Sequence, residues 1–324
     1  MSKIRVGVLR GGPSSEYDVS LKSGQVVLKF LSPEKYQALD ILIDKDGVWH
    51  KNGIPAKPED IFRSTDVIFN ALHGEYGEDG KVQQLMDHFS VKYTGSKALA
   101  SAIGMNKLLA KKILKENSIK TPAYLIFRKG ETDISDMAHK IFRSMLIPVI
   151  IKPTDRGSSV GLTKAATIKE MELGLEKVFA VSETAIVEEF IRGREATCGV
   201  VDQYRGQKVY SLLPVEIIIS DKERVFDFEQ KYSGNAREIC PGNFSKEEKD
   251  YIQNTAVKVH KLLGLSHYSR SDFIVTAKRG IFFLEVNTLP GLTEASLLPK
   301  SLEAIGMSMP QFLDHVIQLT LKNK

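Results

Sequence analysis

The chain has 324 residues, 42% of them hydrophobic and 26% charged, with a formal net charge of +5. These are the totals of an ordinary globular chain of two or three packed units. The mild positive charge, gathered in no basic block, suits an anionic small ligand better than a nucleic acid. Cys198 and Cys240 are too few for a disulfide framework and lack a zinc spacing; no run approaches about 18 apolar residues, so a cytoplasmic protein without a membrane partner is expected.

Ile4–Leu9 reads as a short apolar strand, followed directly by Gly11, Gly12, Pro13, Ser14, Ser15 and Glu16. Val19 to Leu31 has helical spacing, with Val19, Val26, Val27 and Phe30 on one side. A strand, a glycine turn and a helix make a ligand crevice at the strand's carboxyl end, although the glycine pair is not the G-x-G-x-x-G of a dinucleotide site. Ala38–Ile43 and Val67–Ala71 read as further strands of the same sheet, and Val91–Tyr93 as a short one. His73 and Gly74 follow the Val67–Ala71 strand, where a histidine serves either packing or chemistry. This α/β unit ends near Ser96.

From Ala98 the pattern changes. Met105, Asn106 and Lys107 open an amphipathic helix through Glu116, with Leu108, Leu109, Ile113 and Leu114 as its expected buried stripe. Tyr124–Phe127 is a strand, Ile134–Met145 a helix, and Pro148–Pro153 a strand carrying Lys152 near its end. In the following loop Gly157 and Gly161 bracket Ser158 and Ser159, so N–H and hydroxyl donors can face phosphate oxygens while Lys152 adds a charge. It is no Walker A loop, since neither glycine precedes Lys-Ser or Lys-Thr. After a helix over Lys169–Phe179, the strand Thr184–Val187 runs into Glu188, Glu189, Phe190 and Ile191. That stretch is either an ordinary strand end or a linker whose backbone reads an adenine ring.

Arg194–Val201 and Gln207–Val215 read as strands of a third, antiparallel unit, and the polar, aperiodic stretch 227–242 as a functional lid. Lys246–Leu263 is a helix. Phe273–Thr276 and Ile281–Val286 then form a hairpin turning at Ala277–Gly280. That turn sets Asp272 opposite Glu285 and Arg270 opposite Asn287, with Phe283, Glu285 and Asn287 on one face. Facing carboxylates repel by roughly 1–4 kcal/mol at about 4 Å unless solvated or bridged by a cation. The neighbouring Asn287 and Arg270 favour a metal with an anion, and oxygen-only donors suit Mg2+ or Mn2+ rather than zinc. Ser301–Ile305 and Met309–Leu321 close the chain as helices, the second with Phe312, Val316 and Leu319 inward.

Taken together the motifs resemble the D-alanine–D-alanine ligases of the ATP-grasp superfamily over nearly the whole length. The resemblance rests on residues 11–20, 71–74 with 77–80, 152–161, Lys231 with Tyr232, 270–272, 285–291 and 296–299. It implies a mixed α/β fold: an N-terminal open α/β domain over residues 1–96, a central ATP-grasp subdomain over 97–187, and a C-terminal subdomain over 188–324. It also implies a homodimer. In such enzymes ATP converts the carboxylate of one D-alanine to an acyl phosphate, the amine of a second attacks it, and the dipeptide feeds peptidoglycan synthesis. A ligase using D-serine, D-lactate or another acceptor, or a silent nucleotide-binding relative, is the alternative.

The resemblance also implies roles. Asp272, Glu285 and Asn287 would hold two Mg2+ or Mn2+ ions; Lys107, Lys152 and Lys231 would contact phosphates, with Ser158 and Ser159 beside them. Glu188, Glu189 and Ile191 would frame the adenine, and Glu195 would reach the ribose. Glu16 would bind the first substrate's ammonium with His73 near the same end, and Ser296 and the Leu297 amide would hold the second substrate's carboxylate. Arg270 and the Gly291 N–H would stabilise the tetrahedral intermediate, while Ser158, Glu195 and Tyr232 would pin the lid. Ser271 and Ala295 depart from common family choices, and Tyr232 fits a dipeptide-forming enzyme.

Overall fold

Apolar, β-branched runs near the N-terminus build the first sheet. The computed structural model, which describes residues 2–157, 161–219 and 236–322, places there β1 (Ile4–Gly11), β2 (Tyr36–Ile43), β3 (Trp49–Lys51), β4 (Ile54–Pro55) and β5 (Val67–Asn70). Their order is β4-β3-β2-β1-β5, with β1 parallel to both β2 and β5. The glycine turn after β1 and the His73 loop after β5 therefore leave from the same edge of the sheet, where such sheets bind ligands. Val91–Tyr93 contributes only an isolated bridge, Ile68 to Tyr93.

Helix α1 (Tyr17–Phe30) buries Ser20, Ser23, Gly24 and Val27; of the expected stripe Val27 is buried, whereas Val19, Val26 and Phe30 are only half-buried. Small residues let the helix lie close on β1, and Ser20 ties it down by accepting from Gly11 N at 2.8 Å and donating to Ala71 O at 2.9 Å. Short helices α2 (Pro58–Arg63), α3 (Lys81–His88) and α4 (Ala98–Met105) lead to α5 (Lys107–Glu116). In α5 the expected stripe is rotated: Leu109 is 45% exposed while Lys111 is 1% exposed. The reason is an acid waiting inside, described below.

The second sheet is antiparallel, β6-β9-β7-β8, from β6 (Tyr124–Arg128), β7 (Val149–Pro153), β8 (Thr163–Ala165) and β9 (Thr184–Glu189). Helices α6 (Ile134–Ser144) and α7 (Ile168–Phe179) cover it, with Ile141, Leu175 and Val178 in the same core as Val149, Ile151 and Val187. A capping box of Thr167 and Glu170 starts α7. Glu188 and Glu189 belong to β9 itself, not to a linker, because both pair across to β7.

The third sheet holds β10 (Arg194–Tyr204), β11 (Gln207–Ser211), β12 (Val215–Ile219), β13 (Ala236–Ile239), β14 (Tyr268–Thr276) and β15 (Gly280–Asn287). The expected single strand 207–215 is two, β11 and β12, both pairing with β10 at different points. Residues 236–239, expected within a lid, form a strand; residues 227–235 of that stretch lie outside the described residues. Helix α8 (Lys246–Leu262), opened by a Ser245–Glu248 capping box, packs beneath this sheet through Ile252, Ala256 and Val259. Helix α9 (Leu297–Ala304) begins four residues before the expected Ser301 start. The last helix, α10 (Met309–Lys322), returns to the first sheet, sharing a core with Val6, Val8, Val67 and Phe69 through Phe312, Leu313, Val316 and Ile317.

The β14–β15 hairpin carries a bulge. Arg270 faces Asn287 and Asp272 faces Glu285 as expected, but Phe273 faces Phe283 and Thr276 faces Gly280, which leaves Leu284 as the extra residue. The turn is thus one residue shorter than expected, and the bulge restores the register at the charged end. It also breaks the alternation. Phe283 joins Val286 in the core shared with α8, while Phe282 and Leu284 form an apolar cluster with Ile191 and Ile274. Phe283 therefore does not share the face of Glu285 and Asn287, which line a cavity.

Candidate active site

That cavity, about 1040 Å3, lies among the three sheets. That is about the upper end of the range for pockets that enclose small ligands. Part of its wall is apolar, with Ile191 packed against Ile274 and Leu284, and Glu188, Glu189 and Glu195 also line it. The same cavity is lined by Lys107, Lys152, Asp272, Glu285 and Asn287, and by Glu16, His73, Arg270, Gly291, Ser296 and Leu297. The structure thus brings the described site candidates to one space. Ser158, Ser159, Lys231 and Tyr232 lie outside the described residues.

Lysines and acids of the cavity are matched. Lys107 and Lys111 are one turn apart on α5 and project from the same side of it. Lys107 Nζ lies 3.3 Å from Glu285 Oε2 and donates to the Arg156 carbonyl at 2.7 Å. Lys111 Nζ lies 2.9 Å from Glu188 Oε1, and the other oxygen of Glu188 lies 2.9 Å from Lys152 Nζ. Burial pushes the Glu188 carboxyl up, but the two ammonium groups outweigh it and hold it below the usual range. Lys152 is likewise raised, its burial overcome by Glu188 and Glu285, whereas burial prevails at Lys111 and lowers it. The Glu188 carboxylate, expected against an adenine ring, is thereby taken up by lysines. Glu189 accepts from Ala123 N at 3.0 Å and pairs with Arg279 at 2.8 Å.

Asp272 accepts from Thr197 Oγ1 at 2.6 Å, from the Arg270 guanidinium at 3.0 and 3.1 Å, and from Asn287 Nδ2 at 3.1 Å. Burial of Arg270 is more than offset by Asp272, Glu285 and Glu78, which raise it. Asp272 and Glu285 stand as facing residues of adjacent strands, and the Asn287 amide oxygen is not used in its bond to Asp272. The donors are all oxygens on two rigid strands, a set that fits a hard divalent cation.

His73 is 3% exposed, with Nδ1 2.8 Å from the Leu289 carbonyl and Nε2 2.7 Å from Ser23 Oγ. A carbonyl only accepts, so the proton sits on Nδ1 and Nε2 accepts from the serine. Burial pushes the ring below the usual histidine range. Both ring nitrogens are therefore engaged in holding the 289–292 segment, which Ser23 also grips from Leu292 N at 3.2 Å. Gly157 lies against Glu16: a Cβ there would stand 2.6 Å from Glu16 Oε1. Gly291 lies against Ser296 in the same way, 2.7 Å from its Oγ, and Ser296 precedes the first turn of α9.

Sequence reasoning missed three contributors. Lys111, four residues after Lys107 and so on the same side of α5, is buried against Glu188. Glu78 accepts from Thr288 N, Thr288 Oγ1 and Leu289 N at 3.0, 2.9 and 3.0 Å, and from Gly74 N at 3.1 Å. Arg156 pairs with Glu75 at 3.0 Å. No sequence spacing announces the last two, whose partners are distant along the chain.

An open α/β sheet followed by two antiparallel units that close on such a cavity defines an ATP-grasp protein. A family profile described as D-ala D-ala ligase C-terminus matches residues 113–318, and one described as D-ala D-ala ligase N-terminus matches residues 5–61 and 50–96. A D-alanine--D-alanine ligase of Pelotomaculum thermopropionicum is 35% identical over 99% of this chain and 98% of its own length. Among solved structures, D-alanyl-alanine synthetase A of Vibrio cholerae superposes with a TM-score of 0.87 at 28% identity, covering 100% of both chains. The D-alanine--D-alanine ligase of Bacillus anthracis complexed with ATP gives 0.80 at 32% identity, over 99% of this chain and 98% of that one. The chain belongs to the D-alanine–D-alanine ligase family.

Proposed function

We propose that this chain joins two D-alanines to D-alanyl-D-alanine at the expense of ATP, through an acyl phosphate, as a step towards peptidoglycan. The observation that carries the reading is one cavity lined together by an apolar wall at Ile191, the oxygen donors Asp272, Glu285 and Asn287, and Arg270, Gly291 and Ser296. The base would lie on the apolar wall with Glu195 near the ribose, and Lys107 and Lys152 would face the phosphates. Mg2+ or Mn2+, two ions per site, would be held by Asp272, Glu285 and Asn287 and would neutralise phosphate charge.

Glu16 would orient the first D-alanine by its ammonium group, with its carboxylate towards the transferred phosphoryl. Ser296 and the Leu297 N–H, at the start of α9, would hold the second carboxylate. When the second amine attacks the acyl carbon, the carbonyl oxygen becomes negative, and Arg270 with the Gly291 N–H would stabilise it until phosphate leaves. Asp272 keeps the guanidinium in place for that task through two hydrogen bonds. His73 and Glu78 act on this step by holding the 288–292 segment. The division at residues 96 and 187, a homodimeric assembly and a cytoplasmic location belong to the same proposal; the first sheet, complete at β5, supports the first boundary, whereas β9 runs on through Glu189, two residues past the second. Among the described residues no helix is long and apolar enough to cross a membrane.

The test is purified protein with ATP, Mg2+ and D-alanine, following phosphate and product together. One phosphate per dipeptide is expected, with Glu285→Gln nearly inactive yet melting like the parent. Phosphate release without dipeptide, or preference for D-serine or D-lactate, refutes the acceptor; full activity in Glu285→Gln refutes the metal site.

A further inference from the structure

Arg156 opens the glycine-containing loop after β7, and no step above uses its side chain. Its guanidinium reaches two segments remote from each other in the chain. Nε and one terminal nitrogen donate to the Val181 carbonyl at 3.2 and 2.9 Å, and the other terminal nitrogen donates to Glu75 Oε1 at 3.0 Å. Glu75 belongs to the loop after β5; its second oxygen accepts from Ser15 N and Ser15 Oγ at 3.3 and 3.1 Å and lies 3.1 Å from Ser14 Oγ, whose one proton is shared with the His73 carbonyl at 2.8 Å. Ser14 in turn accepts from Glu16 N at 3.0 Å. Glu75 is half-buried, and although burial pushes its carboxyl up, bonds that include Arg156 and Ser14 hold it below the usual range.

The backbone of the same arginine faces the other way. Its carbonyl accepts from Lys107 Nζ, the ammonium that also pairs with Glu285. One residue therefore lies between the Ser14–Glu16 turn, which would seat the first amino acid, and Lys107, which would meet the phosphates. Gly157, the next residue, packs directly on Glu16. A loop that only bound phosphate would need no tie to the first sheet.

We propose that Arg156 and Glu75 form a positioning pair that sets the first substrate's carboxylate in line with the phosphoryl group to be transferred. The pair acts through Glu16 on one side and Lys107 on the other, and touches neither substrate. The inference rests on the ligase reading above, and both residues are partly exposed, at 35% and 15% of their side chains, so their loss leaves the fold standing.

A double-mutant cycle of Arg156→Ala, Glu75→Ala and both together tests it, with Arg156→Lys as the conservative variant. The readouts are the ratio of phosphate released to dipeptide formed, KM for D-alanine, kcat, and the melting temperature. Each alanine variant is expected to raise KM for the first D-alanine about fivefold, to release phosphate in excess of dipeptide, and to melt within about 2 °C of the parent. The double variant is expected to be no worse than either single one, because the pair acts as one unit. Arg156→Lys is expected to recover part of the coupling. Parental ratio and KM in the single variants, or effects that simply add, overturn the proposal. Failure of the parent to form dipeptide overturns the ligase reading instead, so the two failures are told apart.

Discussion

Loss of the Glu78 carboxylate should cost this protein several buried hydrogen bonds at once. Glu78 is 8% exposed and accepts four hydrogen bonds, three from Thr288 and Leu289 and one from Gly74. Those residues are themselves buried, Thr288 at 1% and Leu289 at 2% exposure. Glu78→Ala leaves four donors without their acceptor. A buried orphan costs about 1–3 kcal/mol, and water entering the vacated space relieves part of it, so about 3–5 kcal/mol is expected. For a chain of this size that is roughly 4–7 °C in melting temperature. Glu78→Gln keeps an oxygen for Thr288 and Leu289 but turns its NH2 towards the Gly74 N–H, for a loss of about 1–2 kcal/mol. Scanning calorimetry reads the stabilities, and steady-state kinetics read the second effect, a fall in kcat as the 288–291 segment loses its place. Alanine and glutamine variants that melt within 1 °C of the parent would refute the reasoning.

Two further outcomes follow. His267, accepting from Gly95 N at 2.9 Å, is lowered from 6.5 to about 4, chiefly by burial and against the pull of Asp202, with Lys97, His260 and His315 adding to the fall. Between those values the unfolded chain binds the extra proton, so about 3 kcal/mol of stability is present above pH 6.5 and is lost as pH falls towards 4. His267→Asn tolerates the left-handed backbone, φ 67°, and should flatten the melting-temperature slope over that window; an unchanged slope would dismiss the assignment. Lys111→Met leaves Glu188 buried with one lysine in place of two and should cost about 2–4 kcal/mol, with Lys111→Arg less harmful. A methionine variant as stable as the parent in urea titration would show that the buried charge serves no purpose in folding.

The amino-acid sequence by itself determined the main helices and the long strands, but not short elements such as β3, β4, β8 and β13. Apolar runs marked β1, β2 and β5 of the first sheet, the helical period marked α6, α8 and α10, and counting across the turn paired Asp272 with Glu285, a pairing that stands because the bulge makes up for a turn one residue shorter. These are local relations, set by periods of two and 3.6 residues and by neighbours within a few positions. What the tertiary structure decided is of longer range. The bulge at Leu284 sends Phe283 to the core and leaves Glu285 and Asn287 on the cavity, a change of face no alternation rule contains. Lys111 turns inward because Glu188 and Lys152, from two other segments, meet it there. Glu78 and Glu75 find their partners at Thr288 and Arg156, a separation along the chain that only folding closes. Charges and donors bind what stands within about 3 Å of them, and in this protein the sequence names the groups while the packing of three sheets chooses their partners.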